Sequence, residues 1–163
     1  MIEALQDFTS SLPVFLQWFG VMLAAAIPFV ESYAGAVIGV LAGLNPVVAI
    51  IAAIVGNFVS MVVVVLSAHR VRTRVSAGRG DDLDGDPIEE SPRRRRLRER
   101  FDRYGVPGVS LLGQTILPSQ ITSAAMVSFG ASKNAVILWQ TISIVMWGVV
   151  FGVLATLGVS VLR

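Results

Sequence analysis

Ala24-Ala25-Ala26-Ile27-Pro28-Phe29-Val30-Glu31-Ser32-Tyr33 interrupts an otherwise apolar run that extends from Leu12 to Gly43. A proline within two residues of a lone carboxylate does not belong in an uninterrupted apolar helix. Pro28 removes a backbone donor and disfavours helix at Ile27. As one straight helix the run 12–43 would be about 48 Å long, too much for one upright crossing of a bilayer core and too little for two. Two half-depth helices meeting at Pro28 fit its length. Freed backbone groups at such a break must be satisfied within protein or by a wet cavity.

A second break lies at Gln114-Thr115-Ile116-Leu117-Pro118-Ser119-Gln120, inside the apolar run 106–131. Gln114, Thr115, Ser119, Gln120, Thr122 and Ser123 are costly against lipid and are expected to face protein or water. A kinked span is the alternative, but a second re-entrant hairpin is the reading adopted. Each broken stretch is followed by a long apolar segment. The first, 46–68, carries no formal charge and opens at Asn45-Pro46, a helix start. The second, 132–162, carries Trp139 and Trp147 and has enough apolar length to span. Interrupted segments at matching positions of two halves point to a membrane-embedded substrate site.

The halves overlay at Pro28 and Pro118 with a gap of three residues. Both prolines precede small-residue runs, Ser32-Tyr33-Ala34-Gly35-Ala36 and Thr122-Ser123-Ala124-Ala125. Both runs reach glycine turns, at Gly43 and Gly130. Gly35, Gly39 and Gly43 form a stripe suited to close helix packing. The expected fold is therefore an all-α integral membrane domain of two inverted repeats. Each repeat is a proline-broken hairpin followed by a transmembrane helix (12–68 and 105–162), with a loop at 69–104 between them.

Composition agrees. The 163 residues are 54% hydrophobic with a mean hydropathy of +0.72, and only 15% are charged, against roughly 25% in soluble domains. Eleven arginines fall between Ser67 and Tyr104, a positive-inside signal that places this loop in the cytoplasm. The first hairpin would then enter from outside and the second from the cytoplasm, with both termini outside. His69 and Lys133 read as interfacial. The basic charge belongs to one loop beside apolar segments, so nucleic acid is not an expected partner. The N-terminus has acidic but no basic residues, so no cleaved signal peptide is expected. Without cysteine there is neither a disulfide nor a thiolate metal site. No metal or cofactor is expected.

Within the loop, 77–91 is rich in Gly, Asp and Glu and predicts disorder. Leu97, Phe101 and Tyr104 then mark one face of a helix whose remainder carries Arg93, Arg94, Arg95, Arg96, Arg98, Arg100 and Arg103. This reads as a helix lying on the cytoplasmic leaflet. Its arginines are a topology signal or a site for anionic lipid headgroups.

Glu31 is the candidate site residue of most weight. It is the one carboxylate of the apolar halves away from the extreme N-terminus, and charge at depth costs on the order of 2.5–3.5 kcal/mol or more. It could exchange a proton, bind a cation or cationic group, or cap the broken helix. Pro28 and Tyr33 stand beside it. Gln114, Pro118, Ser119 and Gln120 form the second candidate, able to bind a phosphate or polar headgroup or to bond between helices. Asn57 sits mid-span and suits an interhelical hydrogen bond, with substrate contact secondary. No HExxH, P-loop or nucleophile motif is present, so an enzyme is not expected.

Pro28-x-x-Glu31, Gly56-Asn57-Phe58 and the second proline break, preceded by Tyr104-Gly105, resemble the small multidrug export family, a small branch of the DedA/VTT superfamily. Where that family often places an arginine two residues after the glutamate, this chain has Tyr33. Where DedA-type proteins often have an arginine shortly after the second proline, it has Ser119, Gln120 and Ile121. The resemblance implies facing re-entrant hairpins and transport across a prokaryotic inner membrane, with lipid-carrier translocation in DedA-type relatives. Three functions follow as expectations: proton-coupled export through Glu31, translocation of an anionic lipid or polyprenyl-phosphate carrier, and a non-transporting membrane scaffold. A chain this small encloses little alone, so a homodimer or larger homo-oligomer is expected.

Overall fold

The computed structural model describes residues 2–78, 92–113 and 117–162. The expectations for 79–91 and for Gln114 and Thr115 lie outside the described residues. Every regular element among the described residues is helical: α1 (Ile2–Ser11), a 3-10 turn (Val14–Leu16), α2 (Gln17–Ala25), α3 (Glu31–Leu41), α4 (Pro46–Gly78), α5 (Pro92–Gly113), α6 (Ser119–Ser128) and α7 (Lys133–Leu162). The helices α4 and α7 are long and apolar enough to cross a bilayer core.

The chain divides into two compact units, Met1–Met61 with Thr141–Arg163, and Val62–Gln140. Each holds one proline-broken helix pair, the first part of the long helix that follows it, and the last part of the other long helix.

In the first unit the chain folds back at Pro28, as the sequence predicts. A Cβ on Gly35 would lie 2.7 Å from the Ala25 Cβ, and one on Gly39 would lie 3.0 Å from Val21 Cγ2, so α2 and α3 run antiparallel. The same two glycines face Ala53 and Ala49, bringing α4 antiparallel to α3. Small residues let these backbones approach closely, and Val21, Ala25, Ala36 and Ala53 are wholly buried between them. Glycines on α7 continue the pattern: Gly148 meets Ile54 and Ser32, and Gly152 meets Ile50 and Ala36. Of the expected glycine stripe, Gly35 and Gly39 serve packing and Gly43 does not. Gly43 has open space around it and φ of +89°. It ends α3 with the Leu44 amide donating to Gly39 O at 3.1 Å, a Schellman turn.

In the second unit Gly105 (φ +65°, ψ −170°) breaks α5 into segments 92–104 and 106–113. Proline is tolerated in the first turn of the second segment, which is where Pro107 falls. The rings of Phe101 on α5 and Phe129 at the end of α6 lie 5.9 Å apart. A kinked but continuous 106–131 would carry Phe129 more than about 30 Å away. The second break is thus also a fold-back. Its arm α6 ends as α3 does: Gly130 has φ of +111° and the Ala131 amide donates to Met126 O at 3.0 Å. After each glycine a residue opens the long helix with its carbonyl, Asn45 for α4 and Ser132 for α7.

Three features differ from the expectation. Residues 2–11 form α1, whose Thr9 is buried against Gly20. Helix α4 continues ten residues past Ala68, because His69 to Arg74 are tolerable helix formers whose long side chains reach outward. The apolar face of 92–104 is turned onto protein rather than left free: Leu97 is buried and Phe101 packs on Phe129.

Candidate functional site

The first break is a tight turn with a buried carboxylate behind it. Because Pro28 has no amide hydrogen, the last turn of α2 tightens: Ile27 N donates to Ala24 O (3.1 Å) and Val30 N to Ile27 O (3.2 Å). That leaves the Ala26 carbonyl without its helical donor, and Ser60 Oγ of α4 supplies one at 2.9 Å. Phe29 (φ +75°) and Glu31 (φ +56°) both occupy left-handed backbone, which costs roughly 1–2 kcal/mol for each L-residue. Ile27, Pro28 and Phe29 are exposed at the tip, whereas Glu31 is wholly buried at the first turn of α3. Pro28 therefore shapes the turn, and Glu31 is the buried ionisable group behind it.

The first unit buries further polar groups on α3, α4 and α7. Ser32 Oγ donates to Ile144 O of α7 at 2.8 Å, fitted against the notch left by Gly148. Tyr33 follows Glu31 by two residues on α3. Its hydroxyl donates to Phe29 O (3.2 Å) and its ring lies 5.5 Å from Phe151. Asn57 and Ser143 are also fully buried. Next to Asn57, a Cβ on Gly56 would run into the Met22 carbonyl, so α4 is pressed against the backbone of α2 at this level.

The second break is buried more deeply. Pro118, Ser119 and Gln120 are buried, and Ser119 Oγ lies 3.4 Å from Gln120 Oε1. Thr122 Oγ1 accepts from Gln140 Nε2 of α7 at 3.0 Å. Ser110 Oγ, Ser123 Oγ and Gln140 Oε1 are buried with no hydrogen-bond partner among the described residues. Unpartnered polar atoms in such a place are sites for ordered water or a polar ligand.

The arginines divide. Arg95 pairs with Glu99 at 3.6 Å in an exposed i,i+4 contact. The Arg98 guanidinium lies 5.6 Å from the Phe129 ring centroid and that of Arg103 5.2 Å from Tyr104. Arg96 and Arg100 are exposed. Arg93 and Arg94 belong to α5 by their backbone, and their side chains lie outside the described residues. Arg72 has a role that charge counting misses: its Nη1 donates to Val127 O at 3.2 Å, closing the end of α6. Gln140 and Ser60 were also missed, although each is a polar residue within a long apolar helix, the signal that marks Asn57. Among the described residues no group of three or more His, Cys, Asp or Glu could hold a metal ion.

No family model matches the chain, and no curated protein or solved structure matches it.

Proposed function

We propose that this chain is a small integral membrane transporter of two inverted repeats, in which Glu31 takes up and releases a coupling proton. The observation that carries the reading is Glu31 itself: a wholly buried carboxyl in left-handed backbone, directly behind an exposed proline turn. Backbone strain is retained where a structure uses it, and ionisable groups among apolar helices mark ion pathways. Support for the repeat comes from within each unit. Placing Gly43 on Gly130 brings Gly35 onto Thr122 and Ala53 onto Gln140. The first pair is a helix contact in one unit and the second a hydrogen-bonded pair in the other. A broken pair ending in the same glycine turn, followed by a long helix with the same register, is the pattern of a duplicated transporter half. It is also what the resemblance to the small multidrug export family implies. The basic segment around α5 is proposed to face the cytoplasm of a prokaryotic inner membrane.

The test is infrared difference spectroscopy of the chain in lipid vesicles across a pH titration. The wild type is expected to show a protonated-carboxyl band whose amplitude follows pH. Glu31→Gln is expected to remove the high-frequency component of a carboxyl sheltered from water and to leave the components of the other ten Asp and Glu side chains, while Glu3→Gln and Asp7→Asn keep it. An unchanged band in Glu31→Gln would refute the proposal.

A further inference from the structure

The second unit contains a cavity of about 300 Å³ that the Glu31 reading does not use. Its walls are Leu97, Leu112 and Leu117, and it runs from Arg100 and Tyr104 on α5 to Thr122 on α6. Two glycines create it. Gly108 lies so close to Tyr104 that a Cβ there would sit 2.5 Å from the Tyr104 Cβ, and Gly113 leaves open the space that a side chain would fill toward Thr122 and Val109. Arg100, Tyr104 and Leu112 are exposed while Thr122 is wholly buried. Arg100, the one charged side chain of the lining, therefore lies at the surface, and the rest of the wall is mostly apolar.

At about 30 Å³ per water-sized group it accepts on the order of ten such groups, room for a stretch of hydrocarbon rather than a small ion. We infer that it holds one hydrocarbon chain of an anionic phospholipid, with the lipid phosphate against Arg100. Charge complementarity selects this occupant. Arg96 and Arg103 flank Arg100 at i−4 and i+3 on the same helix, and phosphate is the partner that an arginine cluster beside an apolar slot recognises. Free phosphate would leave the leucine walls unfilled, and a neutral lipid would leave the arginines unused. Because Leu97 and Phe101 already pack onto protein, Arg100 is held at the cavity rather than spread on a free surface. The lipid would be a bound component joining the basic helix to the second hairpin, separate from the cargo of the Glu31 site. This inference rests on the membrane reading above.

The experiment reconstitutes the full chain in phosphatidylcholine vesicles containing a trace of phosphatidylglycerol with a photoreactive acyl chain, and maps the labelled peptides. Label is expected in α5 and α6. Gly113→Leu and, independently, Leu117→Phe fill the cavity and are expected to cut labelling more than tenfold. Arg100→Gln keeps the cavity and is expected to lower the preference for phosphatidylglycerol over a phosphatidylcholine probe about fivefold, the value of one arginine near a charged headgroup. Unchanged labelling in both filled variants overturns the inference, as does competition by inorganic phosphate alone. Alkaline extraction of the same vesicles separates the two readings: a chain that washes off refutes the membrane reading, and a retained chain with indifferent labelling refutes only this one.

Discussion

Gly56 is the position at which one added methyl group should cost most. An alanine Cβ there would meet the carbonyl oxygen of Met22, with the Met22 Cα 3.0 Å away. These are backbone atoms, so no rotamer change relieves the clash, and α2 and α4 must separate beside Glu31 and Asn57. Overpacking of this kind costs about 1–3 kcal/mol, and more when backbone must move. Alanine regains about 1 kcal/mol through helix propensity. With the clash at the upper end of its range, Gly56→Ala should be destabilised by roughly 2 kcal/mol. Gly158 in α7 supplies the control, because a Cβ there has nothing within 4 Å. Gly158→Ala meets no clash and should gain up to about 1 kcal/mol from the same propensity term. Reversible unfolding in bicelles, by steric trapping or denaturant titration, measures both. A Gly56→Ala protein as stable as Gly158→Ala would refute the close approach of α2 and α4.

Other consequences are smaller but independent. A double-mutant cycle on Thr122→Val and Gln140→Leu should give a coupling of about 0.6 kcal/mol and no more than about 1.7; zero coupling would mean that the 3.0 Å bond does not form in lipid. Ser60→Ala leaves the Ala26 carbonyl without the donor it gains from α4, and should lower stability by about 1–3 kcal/mol in the same unfolding assay. Phe29→Gly should instead raise stability by up to about 1 kcal/mol, since it releases a left-handed backbone from a side chain that is 61% exposed. Loss of stability in that variant would mean that the Phe29 side chain is held by something that outweighs the strain.

The breaks were legible in the sequence because proline acts locally. Pro28 follows the end of α2 and Pro118 caps the start of α6, and Gly43 and Gly130 each supply a positive φ that few other residues take. The long helices were legible through uninterrupted apolar length. What could not be read depends on partners distant in the chain. Ser32 is one small polar residue among many until Gly148 opens a notch opposite it. Arg72 is one of eleven loop arginines until α6 ends beside it. The helix α1 was missed because its apolar positions are interleaved with polar ones. Its Thr9 is buried only because Gly20 has no side chain. The apolar face of 92–104 was recognised, but its destination was not: periodicity shows that a face is buried and not what buries it.

The central proposal is that the two proline breaks are fold-backs entering the bilayer from opposite sides. The chain contains no cysteine, so single cysteines can be introduced at the exposed positions Ile27 and Phe29 and at Leu112 and Ile121, then labelled with a membrane-impermeant thiol reagent in oriented vesicles. The account predicts labelling of 27 and 29 from the face opposite the arginine-rich segment, and labelling of 112 and 121 from the same face as that segment. Labelling of both pairs from one face, or protection of both, would contradict it.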